Sequence, residues 1–109
     1  MAPLLTLLPP PVAVTQAVAV PGTAERLTVG AVYALAVVLY AGRDDAVNTG
    51  NVFVGSATLD SATIKQVALV PGDSLQISAP PGGMINLYDI FVDAIDATDG
   101  VRGFYYPRP

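Results

Sequence analysis

The chain has 109 residues, a net charge of −4, no cysteine and no histidine, and only 13% of its residues are charged while 52% are apolar. One domain is expected at this length, with a core that needs neither disulfide nor structural zinc. Missing thiols and imidazoles remove Ser-His and Cys-His catalysis, and the lack of a basic cluster sets nucleic acid aside as a partner, because phosphate binding needs cations to replace counterions.

The first 22 residues, MAPLLTLLPPPVAVTQAVAVPG, carry five prolines and no charge. Pro9-Pro10-Pro11 imposes extended polyproline geometry and lacks ladder donors, so residues 1–22 are predicted to be an extended arm and residues 23–109 the folded domain. Leu4, Leu5, Leu7 and Leu8 precede that break and are candidate interface residues, since four leucines on a solvated tail need cover. At roughly 3.3 Å per residue the arm spans up to about 70 Å, enough to reach a neighbouring subunit; folding back on its own domain is the other reading. No signal peptide is expected, because this stretch has no Lys or Arg and the prolines interrupt any apolar helix. The longest apolar run, Ala31 to Ala41, would rise only about 16 Å as a helix, too short for a bilayer.

From Thr23 the pattern is β throughout. Ala24 to Val29 reads as a short strand, and Tyr33 to Tyr40 (YALAVVLY) as a longer one that is apolar on both faces. Such a strand is central and covered on both sides, or its second face meets another chain. Gly42 to Gly50 is a polar loop, and Asn51 to Ser56 a strand. Val67 to Val70 and Leu75 to Ile77 flank Pro71-Gly72-Asp73-Ser74, which predicts a hairpin with Pro at the first corner of the turn and Gly at the second. Pro80-Pro81-Gly82-Gly83 breaks the chain again before Ile85 to Ala94, read as one strand. Asp99-Gly100 signals a turn into a last strand, Val101 to Tyr106. The expected fold is all-β: one small β-sandwich or barrel of six to eight antiparallel strands with the extended N-terminal arm. A weak internal similarity pairs Gln16-Ala17-Val18-Ala19-Val20-Pro21-Gly22 with Gln66-Val67-Ala68-Leu69-Val70-Pro71-Gly72.

The carboxylates do not assemble into a catalytic set. Asp89 and Asp93 along one strand would stand about 13 Å apart, beyond the separation of glycosidase pairs. Asp93, Asp96 and Asp99 have a spacing of three that does not match a calcium loop, and loop carboxylates more often accept from backbone donors. Gly82-Gly83 lacks the spacing and lysine of a phosphate cradle. No enzyme, no cofactor and no metal site is expected. The aromatic cluster at the end of the chain is better suited to binding: Phe104, Tyr105, Tyr106 and Arg108 are of the types enriched at interface anchors. Strand alternation sends at least one of the three aromatics outward.

Asn48-Thr49-Gly50-Asn51-Val52-Phe53-Val54-Gly55, then Leu69-Val70-Pro71-Gly72-Asp73-Ser74-Leu75, then Leu87 to Asp93, then Gly100-Val101-Arg102 with Tyr105 form an ordered set of motifs. This set resembles small β-rich virion proteins of tailed bacteriophages, in which N-x-G-x-V-Y-V-G is followed by L-x-P-G-E-S and a closing G-V-x-x-x-Y. The resemblance covers Leu35 to Tyr106 and leaves the arm outside. It implies a structural role in the virion: a capsid decoration (cement) protein on the capsid surface, a head fibre or a minor tail component. The implied partners are the major capsid protein or other virion proteins, with a homo-oligomer, most simply a trimer; no nucleic acid and no membrane. A receptor- or glycan-binding β-module using Tyr88, Tyr105 or Tyr106 as stacking platforms is the alternative, and a head-to-tail component a third.

Overall fold

A computed structural model describes residues 10–42, 47–61 and 66–108. The leucines at 4, 5, 7 and 8 therefore lie outside the described residues. Within them the protein is all-β: β1 (Val12–Ala17), β2 (Glu25–Arg26), β3 (Tyr33–Ala41), β4 (Val52–Gly55), β5 (Val67–Leu69), β6 (Ser74–Ser78), β7 (Ile85–Asn86), β8 (Phe91–Ala94) and β9 (Gly100–Pro107), with one 3-10 turn at Leu87–Asp89. The strands form two antiparallel sheets. The larger runs β1-β9-β3-β6, with β7 also on β3; the smaller runs β2-β8-β4-β5.

The two orders are one order seen twice. Four stretches of chain, 12–26, 33–55, 67–78 and 91–107, each give one strand to the larger sheet and its sequence neighbour to the smaller, and the short β7 adds to the larger sheet on β3. The fold is thus four ribbons lying side by side and creased together, so that both halves face one core. Hydrogen bonds continue the ladder across the crease. Val18 N–H donates to Asp99 O (2.8 Å) and Thr98 N–H to Val18 O (2.8 Å), while Ala41 N–H donates to Asp73 O (2.8 Å) and Gly72 N–H to Ala41 O (3.0 Å). Between the first and last ribbons the same register holds on both sides of the crease, from Val12↔Tyr105 to Ala17↔Gly100 in the larger sheet and again at Glu25↔Val92 in the smaller.

This arrangement corrects the expected hairpin. β5 pairs with β4 in the smaller sheet and β6 with β3 in the larger, so Pro71-Gly72 turns a corner between sheets. The local turn is as expected: Gly72 has φ 90° and Asp73 N–H closes onto Val70 O at 3.0 Å. Val20-Pro21-Gly22-Thr23 repeats it, with Gly22 at φ 89° and Thr23 N–H to Val20 O at 3.1 Å, and it too joins one sheet to the other. The similarity between the two Val-Pro-Gly stretches is therefore a shared corner device. Ile85 to Ala94 is likewise not one strand. Asn86 accepts from Tyr88 N–H and Val32 N–H, capping the 3-10 turn that carries the chain from β7 in the larger sheet to β8 in the smaller. Asp89 ends that turn, so it and Asp93 do not share a strand face.

The stretch read as an arm is divided. Val12–Ala17 is an edge strand along β9, and Val18 is fully buried in the core. The strand begins directly after Pro11, where the missing ladder donors end.

The core is aliphatic. Val37, Leu39, Val101 and Ala34 from the larger sheet meet Val52, Val54, Leu69, Val92 and Ala94 from the smaller, with Leu27 and Leu87 at the margins. Phe53 and Asp93 are buried too, but alternation and their direct pairing place them on the opposite face of the smaller sheet. There, one Asp93 oxygen accepts from Gly22 N–H (3.0 Å) and from Ala94 N–H (2.8 Å), and the other from Ser61 N–H (2.8 Å). A single carboxylate thereby ties a corner and a loop to β8.

Candidate functional site

On β9 the inward residues are Val101, Gly103 and Tyr105, and the outward ones are Arg102, Phe104 and Tyr106. Val101 belongs to the core and Tyr105 packs against it. On β3 the core residues Val37, Leu39 and Ala41 alternate with Ala36, Val38 and Tyr40, which face out; the register slips between Ala34 and Ala36. On β6 Leu75 and Ile77 pack inward, leaving Ser74, Gln76 and Ser78 outside.

Cross-strand registers arrange these outward side chains in rows. Thr15, Arg102, Tyr40 and Ser74 form one; Ala13, Phe104, Val38 and Gln76 the next; Tyr106, Ala36 and Ser78 the third. The centre of the face is aromatic and aliphatic, and its margin carries hydroxyls and an amide. Phe104 and Tyr106 meet edge-to-face, with centroids 5.6 Å apart and planes at 86°. The Arg102 guanidinium lies 5.9 Å from the Tyr40 centroid, at the outer limit of a cation–π contact. Ala13, Tyr40, Arg102, Gly103 and Phe104 line a shallow groove across the face. Tyr106 keeps 40% of its surface in solvent and Tyr40 37%, so the rings are presented rather than folded away.

The charge distribution singles this face out. None of the nine acidic residues lies on β1, β3, β6, β7 or β9, and Arg102 is the one charged residue on those strands. Among the described residues, Glu25, Asp73, Asp93 and Asp99 lie instead at the creases and on the smaller sheet, where they accept from backbone N–H groups. Asp99, 1% exposed, accepts from Thr49 N–H and Gly50 N–H (2.8 Å for the latter), and Asp96 accepts from the Thr49 hydroxyl at 3.1 Å. Beside them Asn48 makes a two-way pair with Gly100, Nδ2 to O at 2.8 Å and N–H to Oδ1 at 3.0 Å. Asp93 and Asp99 thus spend their oxygens on N–H groups, and among the described residues no group of three acidic side chains is placed to hold a metal ion.

The structure separates the aromatics and arginine singled out in the sequence. Phe104 and Tyr106 share the open face, Tyr105 points into the core, and Arg108 lines another groove with Leu35, Met84 and the Pro80–Gly83 turn. Tyr88 is engaged: the Arg26 guanidinium sits 3.9 Å from its centroid and 4.6 Å from that of Phe91, and Arg26 Nη1 donates to Tyr88 O at 2.7 Å. Sequence reasoning missed Tyr40, Val38 and Arg102. The period-two alternation of β3, together with its apolar residues on both faces, was the signal that held the first two. No family model, curated protein or solved structure matches the chain.

Proposed function

We propose that the protein is a structural component of a phage virion, most simply a capsid decoration protein that binds the assembled head through its carboxylate-free sheet face and its arm. The observation that carries the reading is the outer face of the larger sheet: aromatic at its centre, free of carboxylates, and rimmed by small polar side chains, the composition of a protein-contact surface. The motif resemblance supports a virion role. Its N-x-G and G-V elements meet in space through the Asn48–Gly100 pair, so they are framework residues that hold the crease. A decoration protein acts by mass action: it binds the assembled shell and not its separated parts, and so shifts disassembly to harsher conditions.

The test is to add the purified protein to heads that lack it. Co-sedimentation in hundreds of copies per head and greater resistance to heat are expected. Heads whose resistance is unchanged by saturating protein, or a few copies per particle, refute decoration; the latter favours a head-to-tail component. The glycan-binding alternative keeps one of its three aromatic platforms, Tyr106, since Tyr105 faces the core and Tyr88 already stacks on Arg26. Retention on glycan arrays without binding to heads would favour it.

A further inference from the structure

One edge of the larger sheet is open, and its sequence is nearly the same in both directions. β6, Ser-Leu-Gln-Ile-Ser, ends the order β1-β9-β3-β6. Its ladder to β3 runs through odd-numbered residues: Ala79 N–H donates to Leu35 O and Ala41 N–H to Asp73 O, both at 2.8 Å, in the register that sets Leu39 opposite Leu75. Bonding alternates along an antiparallel strand, so the N–H and C=O groups of Ser74, Gln76 and Ser78 point away from β3. Among the described residues none pairs with them. Such a row of donors and acceptors is a template for another strand.

Proteins shut their sheet edges with charge, proline or a bulge, and β6 has none of these. The opposite edge is guarded. Pro11 stands immediately before β1, the Gln16 amide donates to Ala17 O (2.8 Å), and the Glu25 carboxylate takes Ala19 N–H (2.8 Å) just past the strand. In the smaller sheet Val70, next after β5, closes both its N–H and its C=O onto Asp73.

We infer that β6 pairs with β6 of a second copy, antiparallel about a two-fold axis at Gln76, so that two larger sheets become one. This register sets Gln76 against Gln76, Ser74 against Ser78 and Leu75 against Ile77, and like meets like at every position. About six main-chain hydrogen bonds form, two at each facing pair among Ser74, Gln76 and Ser78. Leu75 and Ile77, half-buried at the margin of the core, cover one another across the join. Charge does not oppose it. Asp73 falls opposite Ala79 of the second copy, and the two Arg102 side chains, each two strands in from the join, are at least about 24 Å apart, beyond the screening length at physiological salt. The axis runs perpendicular to the sheet, so the outer faces of both copies lie on one side and stay uncovered. The pairing thus goes beyond the head-binding reading and stands without it; it also groups the copies in twos, where the motif resemblance implies threes.

The test uses the full chain alone, with no heads present, so a failure here leaves head binding standing. Sedimentation velocity over a range of concentrations is expected to show reversible monomer–dimer association and no larger species. Gln76→Pro removes an outward N–H and leaves the β3 ladder whole; present in both copies, it deletes two bonds at the axis and is expected to weaken the dimer by about 30-fold. Gln76→Lys and Gln76→Glu alter an exposed side chain, and like charges facing across the axis are expected to weaken each dimer by up to about fivefold. An equimolar mixture of the two is expected to form a heterodimer tighter than either alone. Should Gln76→Pro unfold in thermal melts, the charge variants carry the test. A chain that stays monomeric at all concentrations overturns the inference, and if Gln76→Pro then abolishes binding to heads, the edge belongs to a strand of a shell protein. Growth into open-ended assemblies overturns it as well, since β6 would be meeting a different edge. So does a folded Gln76→Pro variant that associates like the native chain, or a Lys and Glu mixture no tighter than its components.

Discussion

Replacing Asp93 with Asn is a one-atom change in a fully buried side chain, and its cost can be worked from the hydrogen bonds. In the native protein one carboxylate oxygen receives Gly22 N–H at 3.0 Å and the other Ser61 N–H at 2.8 Å. An amide offers one oxygen and one NH2, so in either orientation a backbone donor faces another donor. The loss combines a bond to a charged acceptor with a backbone N–H left unpaired in a site where the side chain has no solvent access, together about 3 kcal/mol. For a domain of this size each kcal/mol lowers the melting temperature by about 4–8 °C, so the expected fall is roughly 12–24 °C. Thermal melts by circular dichroism measure it, and urea titration with an unchanged slope would place the effect in stability rather than in the unfolded chain. Asp96→Asn is the control, since Asp96 is exposed and is expected to shift stability by no more than about 0.5 kcal/mol. If the two variants melted together, the view that Asp93 anchors the Gly22 corner and the Ser61 loop would be wrong.

Three further outcomes follow from other residues. Gly72→Ala has open space for its methyl group but must hold φ near 90°, so a loss of about 1–2 kcal/mol is expected in denaturant titrations, with Gly72→Asn milder. Gly103→Ala would drive a methyl into the Val38 carbonyl oxygen on the neighbouring β3; a loss beyond about 4 kcal/mol, or no soluble protein, is expected on expression and melting. Tyr105→Ala should cost about 3 kcal/mol because its ring packs on the core, whereas Tyr106→Ala should cost less than about 1 kcal/mol; equal losses in melting experiments would contradict the alternation on β9.

Class and turn chemistry were legible in the sequence, and connectivity was not. Pro at the second position and Gly at the third announce the turns at Pro71, with Pro21-Gly22 repeating the pattern, and both glycines have the left-handed φ that this chemistry requires. The step from turn to hairpin failed for a physical reason. A type II turn splays the strands it joins, whereas two-residue hairpins use the mirror-image turns whose twist matches the sheet. Pro-Gly was therefore better suited to a corner. Ile85 to Ala94 misled because a three-residue 3-10 turn is shorter than any period can reveal; the capping Asn86 was its one local sign. Of the candidate site, Phe104 and Tyr106 were visible as aromatics, while Tyr40 and Val38 became neighbours of them only through the β3–β9 register, which no local pattern encodes.

The pairing of Val12 with Tyr105 has a consequence for how the molecule comes into being. Of the strands leaving the ribosome, β1 emerges first and its partner β9 last, and β2 waits for β8 in the same way. Only β4 and β5 find each other across a short separation. Such a layout has a high contact order, so folding is expected to be slow and to begin in earnest when translation of the domain is complete. Until then an apolar, uncharged first strand stands without its mate, and the nascent chain is at its most vulnerable to pairing with another copy of itself.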